Sequence, residues 1–216
     1  MASVSGVRGI FGDTLTPTIV QQYSSAFGAY QKKAHGKGKI MVGRDSRTTG
    51  VAMLNCIVSS LLSVGLDVVD LGIVSTPTVL LAVQESDSIG GIAITASHNP
   101  PQWNAMKFVD ADGMFLAPQK AAEFLASVND EISWADWQSI GTLQQDHGAI
   151  QRHIDKILEI PYLDIAKIRS KKYRVVLDSV NGAGGLISPL LLEALGCEVI
   201  NINDAPTGIF AHPAEP

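Results

Sequence analysis

Short apolar runs rich in β-branched residues recur along this chain, separated by longer stretches with helical spacing, and that alternation leaves few folds open. Ile40 to Gly43, Asp67 to Leu71 and Ile92 to Thr95 read as strands, and Thr16 to about Lys33 and about Thr48 to Val64 as helices with their starts. Strand and helix in turn imply a largely parallel sheet covered on both faces, an α/β fold. The helix starts are marked. Thr16-Pro17 and Ser75-Thr76-Pro77 each place a capping hydroxyl ahead of a proline that the first helical turn tolerates, and Val79 to Gln84 continues the second as a short helix. Ser3 to Ile10 reads as a short first strand. Ala105 to Val109 and Met114 to Leu116 flank Asp110-Ala111-Asp112-Gly113, whose Asp-Gly pair signals a hairpin and so an antiparallel edge.

Pro118 to about Val128 is a further helix, and Ser133 to His147, with its tryptophans, glutamines and glycine, reads as a connection between domains. The expected division is residues 1–140 as one domain and residues 141–216 as linker and an incomplete second α/β domain. That second unit would run helix from about Ile150 to Ile160, strand Tyr173 to Leu177, turn and helix Gly182 to Leu195, and strand Glu198 to Ile202. Asn181-Gly182-Ala183-Gly184-Gly185 resembles half of a dinucleotide fingerprint, but Ile187 stands where the last glycine is needed, so close strand–helix packing is the better reading. Gly36-Lys37-Gly38-Lys39 is a solvated loop, since no Ser or Thr follows it as in a P-loop.

A hydrophobic share of 46% over 216 residues is ample for a core. The formal charge of −5, with 16 Lys and Arg, argues against a nucleic-acid partner, which needs a concentrated basic face. No apolar stretch approaches bilayer length and the start has no leader pattern, so neither a membrane nor secretion is expected. Cys56 and Cys197 lie in apolar segments without CxxC spacing, which suits buried reduced thiols and a cytoplasmic protein. Oligomeric state is left open.

The chemistry concentrates between Gly90 and Lys107. Asn99-Pro100-Pro101 must end the apolar strand, because proline cannot continue a ladder, so Ser97 and His98 fall on a loop at a strand's carboxyl end. Ligands of open α/β sheets bind at that rim. The sequence Thr95-Ala96-Ser97-His98-Asn99-Pro100, followed by Asn104 and Lys107, closely resembles the active-site serine loop of the α-D-phosphohexomutases. Val7-Arg8-Gly9 and Gly43-Arg44-Asp45-Ser46-Arg47 resemble that family's other N-terminal motifs, in the same order.

The resemblance implies the family's first domain, a mixed, mostly parallel sheet sandwiched by helices, plus the start of a second similar domain. It implies exchange of phosphate between the 1- and 6-positions of a hexose or amino-hexose through a phosphoserine and a bisphosphate intermediate. Ser97 would carry the phosphate, and a serine ester that can be given up and taken back splits one migration into two transfers. Catalytic roles would fall to Ser97, Lys107 as general acid or base, Arg8 as a cationic donor, and His98 through contact with substrate or phosphate. Arg44, Asn99 and Arg47 would bind phosphate or substrate. Mg²⁺ would be held by the phosphate on Ser97 and by three aspartates of a second-domain loop, with hexose bisphosphate as activator. That aspartate loop does not occur here, and Asp110-Ala111-Asp112-Gly113 completes neither it nor an EF-hand, so an inactive, truncated portion of a mutase is expected. The partner would be a small sugar phosphate, with its identity set by a third-domain loop outside these residues.

Other chemistries fit less well. A serine hydrolase would carry Gly-x-Ser-x-Gly, whereas Ser97 lies between Ala96 and His98. A zinc phosphatase would need ligands closer together than His35, His98, His147, His153 and His212. The alternative that survives is a noncatalytic sugar-phosphate-binding α/β module.

Overall fold

The computed structural model describes residues 2, 3 and 6–214; Val4 and Ser5, within the expected first strand, lie outside the described residues. In chain order the elements are β1 (Ala2–Ser3), β2 (Gly6–Ile10), α1 (Pro17–His35), β3 (Lys39–Arg44), α2 (Gly50–Val64), β4 (Asp67–Ile73), α3 (Thr76–Gln84), β5 (Gly90–Ile94) and β6 (Trp103–Val109). They continue with α4 (Pro118–Ala126) and its 3₁₀ extension, β7 (Leu143–Gln145), α5 (Ala149–Leu158), α6 (Ile165–Ser170), β8 (Arg174–Asp178), α7 (Gly184–Ala194) and β9 (Glu198–Ile202).

The first sheet has strand order β1-β2-β6-β5-β3-β4-β7. Strands β5, β3, β4 and β7 run parallel, while β6, β2 and β1 are joined by antiparallel pairings. Alternation along each strand builds the two layers. Ile40 and Val42, Ile92 and Ile94, and Met106 and Phe108 face α1, α2 and α4, where Phe27, Leu61 and Phe124 complete one core. Met41, Val69, Ala93 and Val109 face α3 and α5 and meet Val79, Val83 and Ala149. Each large aliphatic side chain so enclosed contributes about 1.5–3 kcal/mol. The expected sandwich is present.

Both helix starts form as their sequence implies. Thr16 Oγ1 accepts from Ile19 N, and Ser75 Oγ accepts from Thr78 N. α3 can lie close to the sheet because glycines stand beneath it: a Cβ on Gly43 would come within 2.6 Å of Val79, and one on Gly91 within 2.7 Å of Val83. Gly113 takes φ +79 in the expected turn, but Met114 to Leu116 makes only a single bridge, Val109 to Phe115, instead of a strand.

The connecting segment contributes more than a link, since β7 pairs with β4 at the edge of the first sheet and α5 buries Ala149 and Ile154. In the second unit β8 and β9 form a separate two-stranded parallel sheet, against which α7 packs. Gly185 lies so near the loop after β9 that a Cβ there would meet the Asp204 carbonyl at 2.3 Å, so close packing requires glycine at that one position of the cluster. Cys56 and Cys197 are both free, and both are half-buried where full burial was expected.

Candidate active site

Chains leave β3 and β5, which are neighbours, in opposite directions: β3 leads through α2 to β4, and β5 leads through the serine loop to β6. Such a switch point opens a crevice at the carboxyl ends of the two strands. A cleft of about 280 Å³ lies there, lined by Arg44, Ser75, Thr76, Ser97 and His98 from the first unit and by Ser179, Gly182, Ala183 and Phe210 from the second.

Ser97 is exposed and has φ +56, the left-handed region that a side-chain-bearing residue occupies at a cost of about 1–2 kcal/mol. Adjacent side chains on extended backbone point to opposite sides, and this turn removes that separation. Ser97 Oγ and His98 Nδ1 come to 3.4 Å rather than pointing apart, a long contact that leaves the serine hydroxyl on the cleft side. Across the cleft Val180 and Asn181 also have positive φ, at 50° and 55°, so both lips hold strained backbone.

The cleft favours an anion. The N-termini of α3 and α7 open into it at Ser75–Thr76 and Gly182–Ala183 and turn their positive dipole ends toward it. Arg44 Nε and Ser179 Oγ are buried without a hydrogen-bond partner. Ser75 Oγ bonds Thr78 Oγ1, which in turn bonds His153 Nδ1 at 2.9 Å, fixing the α3 start to α5. Burial holds the His153 imidazole below the ordinary histidine range.

Arg8 and Lys107 lie on the same sheet face as the cleft but do not line it. Lys107 stands opposite Ala93, a cleft residue, and Arg8 stands opposite Ala105 on the next strand. The Lys107 ammonium lies 5.7 Å from the Phe115 ring centroid. Asn99 turns its amide inward and donates to the Ala96 carbonyl at 2.7 Å, closing the loop on itself.

Arg47 requires a correction. Expected among the phosphate-binding groups, it is 1% exposed and donates all five guanidinium N–H bonds within the protein, leaving none for a ligand. Burial pulls its pKa down, and Asp45 partly restores it.

Nor do these residues build a magnesium site alone. Among the described residues no three His, Cys, Asp or Glu side chains are grouped to hold an ion, and Asp45, the carboxylate at the cleft, is committed to Arg47. Asp110 is equally committed, to Lys120 Nζ and Ala111 N. Ser75, Ser179 and Phe210 are cleft residues that the sequence does not assign to the site, and Ser46 enters there only as a member of the Gly43–Arg47 motif. The hydroxyl-proline helix start flagged Ser75 only as a cap, and nothing in the sequence near Phe210 points to the cleft.

The family model described as "Phosphoglucomutase/phosphomannomutase, alpha/beta/alpha domain I" matches residues 2–133, and that for "alpha/beta/alpha domain II" matches residues 151–216. The chain belongs to the phosphoglucomutase/phosphomannomutase family. Among curated relatives, a "Probable phosphoglucosamine mutase" of Methanopyrus kandleri is 36% identical over 95% of this chain and 44% of its own length. A "Phosphoglucomutase/phosphomannomutase" of Thermococcus kodakarensis is 37% identical over 95% of this chain and 45% of its own. A solved phosphoglucomutase/phosphomannomutase family protein from Burkholderia thailandensis superposes with a TM-score of 0.78 at 25% identity, over 98% of this chain and 46% of that one. The chain thus spans less than half the length of the phosphohexomutase relatives it matches. No helix among its described residues is long and apolar enough to cross a membrane.

Proposed function

We propose that this chain carries the phosphoserine site of a phosphohexomutase, an isomerase that moves phosphate between the 1- and 6-positions of a hexose or amino-hexose. The observation that carries the reading is Ser97 Oγ, held exposed at the switch-point crevice among Arg44 and the starts of α3 and α7. A phosphoryl group on that oxygen would meet donors already aimed at negative charge. In one transfer the Oγ–P bond breaks as a sugar oxygen takes the phosphorus, giving the bisphosphate. In the other, Ser97 Oγ takes the second phosphoryl group back, and the serine ester is restored. Each sugar hydroxyl gives up a proton as it attacks and regains one as it leaves, and Lys107 is the group proposed to carry it. Mg²⁺ and a hexose bisphosphate activator belong to the proposal, the ion needing carboxylates that the described residues do not supply. A cytoplasmic setting suits the free thiols of Cys56 and Cys197.

The relatives named above carry different sugars in their names at nearly the same identity, so the proposal stops at hexose or amino-hexose phosphate. The test is to incubate the full-length protein with a hexose 1,6-bisphosphate and locate the phosphate by peptide mass analysis. Phosphate on Ser97, lost in Ser97→Ala, is expected. Stoichiometric phosphate elsewhere, or normal mutase turnover in Ser97→Ala, overturns the assignment. Sugar-phosphate binding without phosphorylation would identify a noncatalytic binding module instead.

A further inference from the structure

Arg47 lies where three segments distant in sequence meet. Its own loop leaves β3, the serine loop leaves β5, and Phe210 belongs to the second unit. The guanidinium gives Nε to Asp45 at 3.1 Å, Nη1 to the carbonyls of Pro100 and Trp103 at 2.8 and 3.0 Å, and Nη2 to those of Ser97 and Asn99 at 2.8 and 2.7 Å. Carbonyls turned toward one buried point repel each other and are desolvated, so the loop can hold this shape only around a cation with donors in a fixed fork. The carbonyl of Ser97 is one of the four. The cation therefore constrains the residue with φ +56 directly.

The second unit closes over this arrangement. Arg47 Cζ lies 5.1 Å from the centroid of the Phe210 ring, a cation–π distance. Beside it Ser46 Oγ donates to the Asn181 carbonyl at 2.9 Å. Gly208 approaches so near that a Cβ would meet the Ser46 carbonyl at 2.1 Å, a contact only glycine permits.

We propose that Arg47 is a positioning residue for Ser97: its guanidinium holds the serine loop in the left-handed turn that presents Ser97 Oγ to the cleft, and Phe210 shields that guanidinium, so that docking of the second unit sets how firmly Ser97 is held. The catalytic consequence rests on Ser97 being the phosphorylated residue; the mechanical one does not.

Hydrogen exchange tests the mechanical part in the 216-residue chain, because the loop amides of Ser97, Asn99 and Trp103 are all hydrogen-bonded. Arg47→Lys offers at most three donors to five acceptors, and Phe210→Ala removes the shield without touching the fork. Exchange across residues 96–103 should quicken about tenfold or more in Arg47→Lys and less in Phe210→Ala, with α1 and β3 unchanged in both. Loop protection that is unaltered in either variant, or loosening of α1 and β3 together with the loop in Phe210→Ala, overturns the proposal. Should Arg47→Lys fail to fold, Phe210→Ala decides alone. In the full-length enzyme Phe210→Ala should lower kcat by about tenfold with KM for the hexose phosphate nearly unchanged, since misplacement of the reacting oxygen costs rate rather than binding. A kcat unchanged while the loop loosens would also overturn it. A wild-type protein that takes no phosphate would refute the mutase reading, and the exchange arm would still judge the positioning.

Discussion

Lys107 sits on a strand rather than on the loop that holds Ser97, directly across from Ala93 in the cleft wall, with its ammonium beside the Phe115 ring. Its backbone is fixed by pairing with Ala93 on β5, while the preceding residue, Met106, pairs with Val7 on β2, so only the side chain is free to work. Methionine keeps most of the stem and removes the proton-carrying end. Lys107→Met should lower turnover of the full-length enzyme by about 10²-fold or more, the usual scale for a lost general acid or base. Stability should change by no more than about 0.5 kcal/mol, because the residue is half-buried and its packing is retained. Thermal melts beside turnover measurements check both halves, and unchanged turnover removes Lys107 from proton transfer.

The turn after β6 and the helix α4 are tied by Asp110, whose buried carboxylate pairs with Lys120 Nζ at 2.5 Å and accepts from Ala111 N and Gln31 Nε2. Burial by itself would raise the Asp110 pKa, but Lys120, Ala111 and Gln31 outweigh it and hold the carboxyl below the usual aspartate range. A group with a lowered folded-state pKa stabilises the fold fully above its unfolded pKa of about 3.9, and that contribution is lost as pH falls through the folded value. Asp110→Asn should therefore cost about 1–3 kcal/mol near neutral pH and flatten the acid limb of the stability curve. Denaturant titrations from neutral pH downward measure this; an acid limb of undiminished slope in the variant excludes Asp110 as a contributor. The same region shows what sequence can and cannot supply at this scale. The Asp-Gly turn, the capping hydroxyls at Thr16 and Ser75, and the strands β3 to β5 were legible because each has a local cause. β7 was not: Leu143-Gln144-Gln145 has no strand pattern of its own and is held by its neighbour β4. α6 is too short to show helical periodicity. The placement of Ser97 on its loop was legible from Pro100 and Pro101, but its left-handed φ was not, since only glycine advertises that conformation. Arg47 looked like its neighbour Arg44 in sequence, and only the fold distinguishes a buried clamp from a cleft-lining cation.

The two units of the molecule are unequally built. In the first, Ile40, Val42, Ile92 and Ile94 on adjacent central strands are 0% exposed beneath one helical layer, and Met41 and Ala93 on the same strands are buried beneath the other. In the second, Val176 is 61% exposed, Ile200 44% and Ile202 43%, and only Ile187 and Pro189 of α7 are buried. A two-stranded sheet with so little apolar cover can open without disturbing the first core. Its attachment to the rest runs through α7 against α5 and through the loops at Asn181, Gly208 and Phe210 on the cleft, so opening it would also withdraw the shield from Arg47. In the 216-residue chain, amides of β8 and β9 should therefore exchange about 10²-fold faster than those of β3 and β5, because the former need only a local opening and the latter a global one. Mild denaturant should leave the rate in β8 and β9 nearly constant while accelerating β3 and β5, since a small opening exposes little surface and global unfolding exposes much. Equal protection in both sheets, with the same denaturant dependence, would mean that the units unfold as one cooperative body and that the contacts at the cleft bind them more tightly than their burial implies.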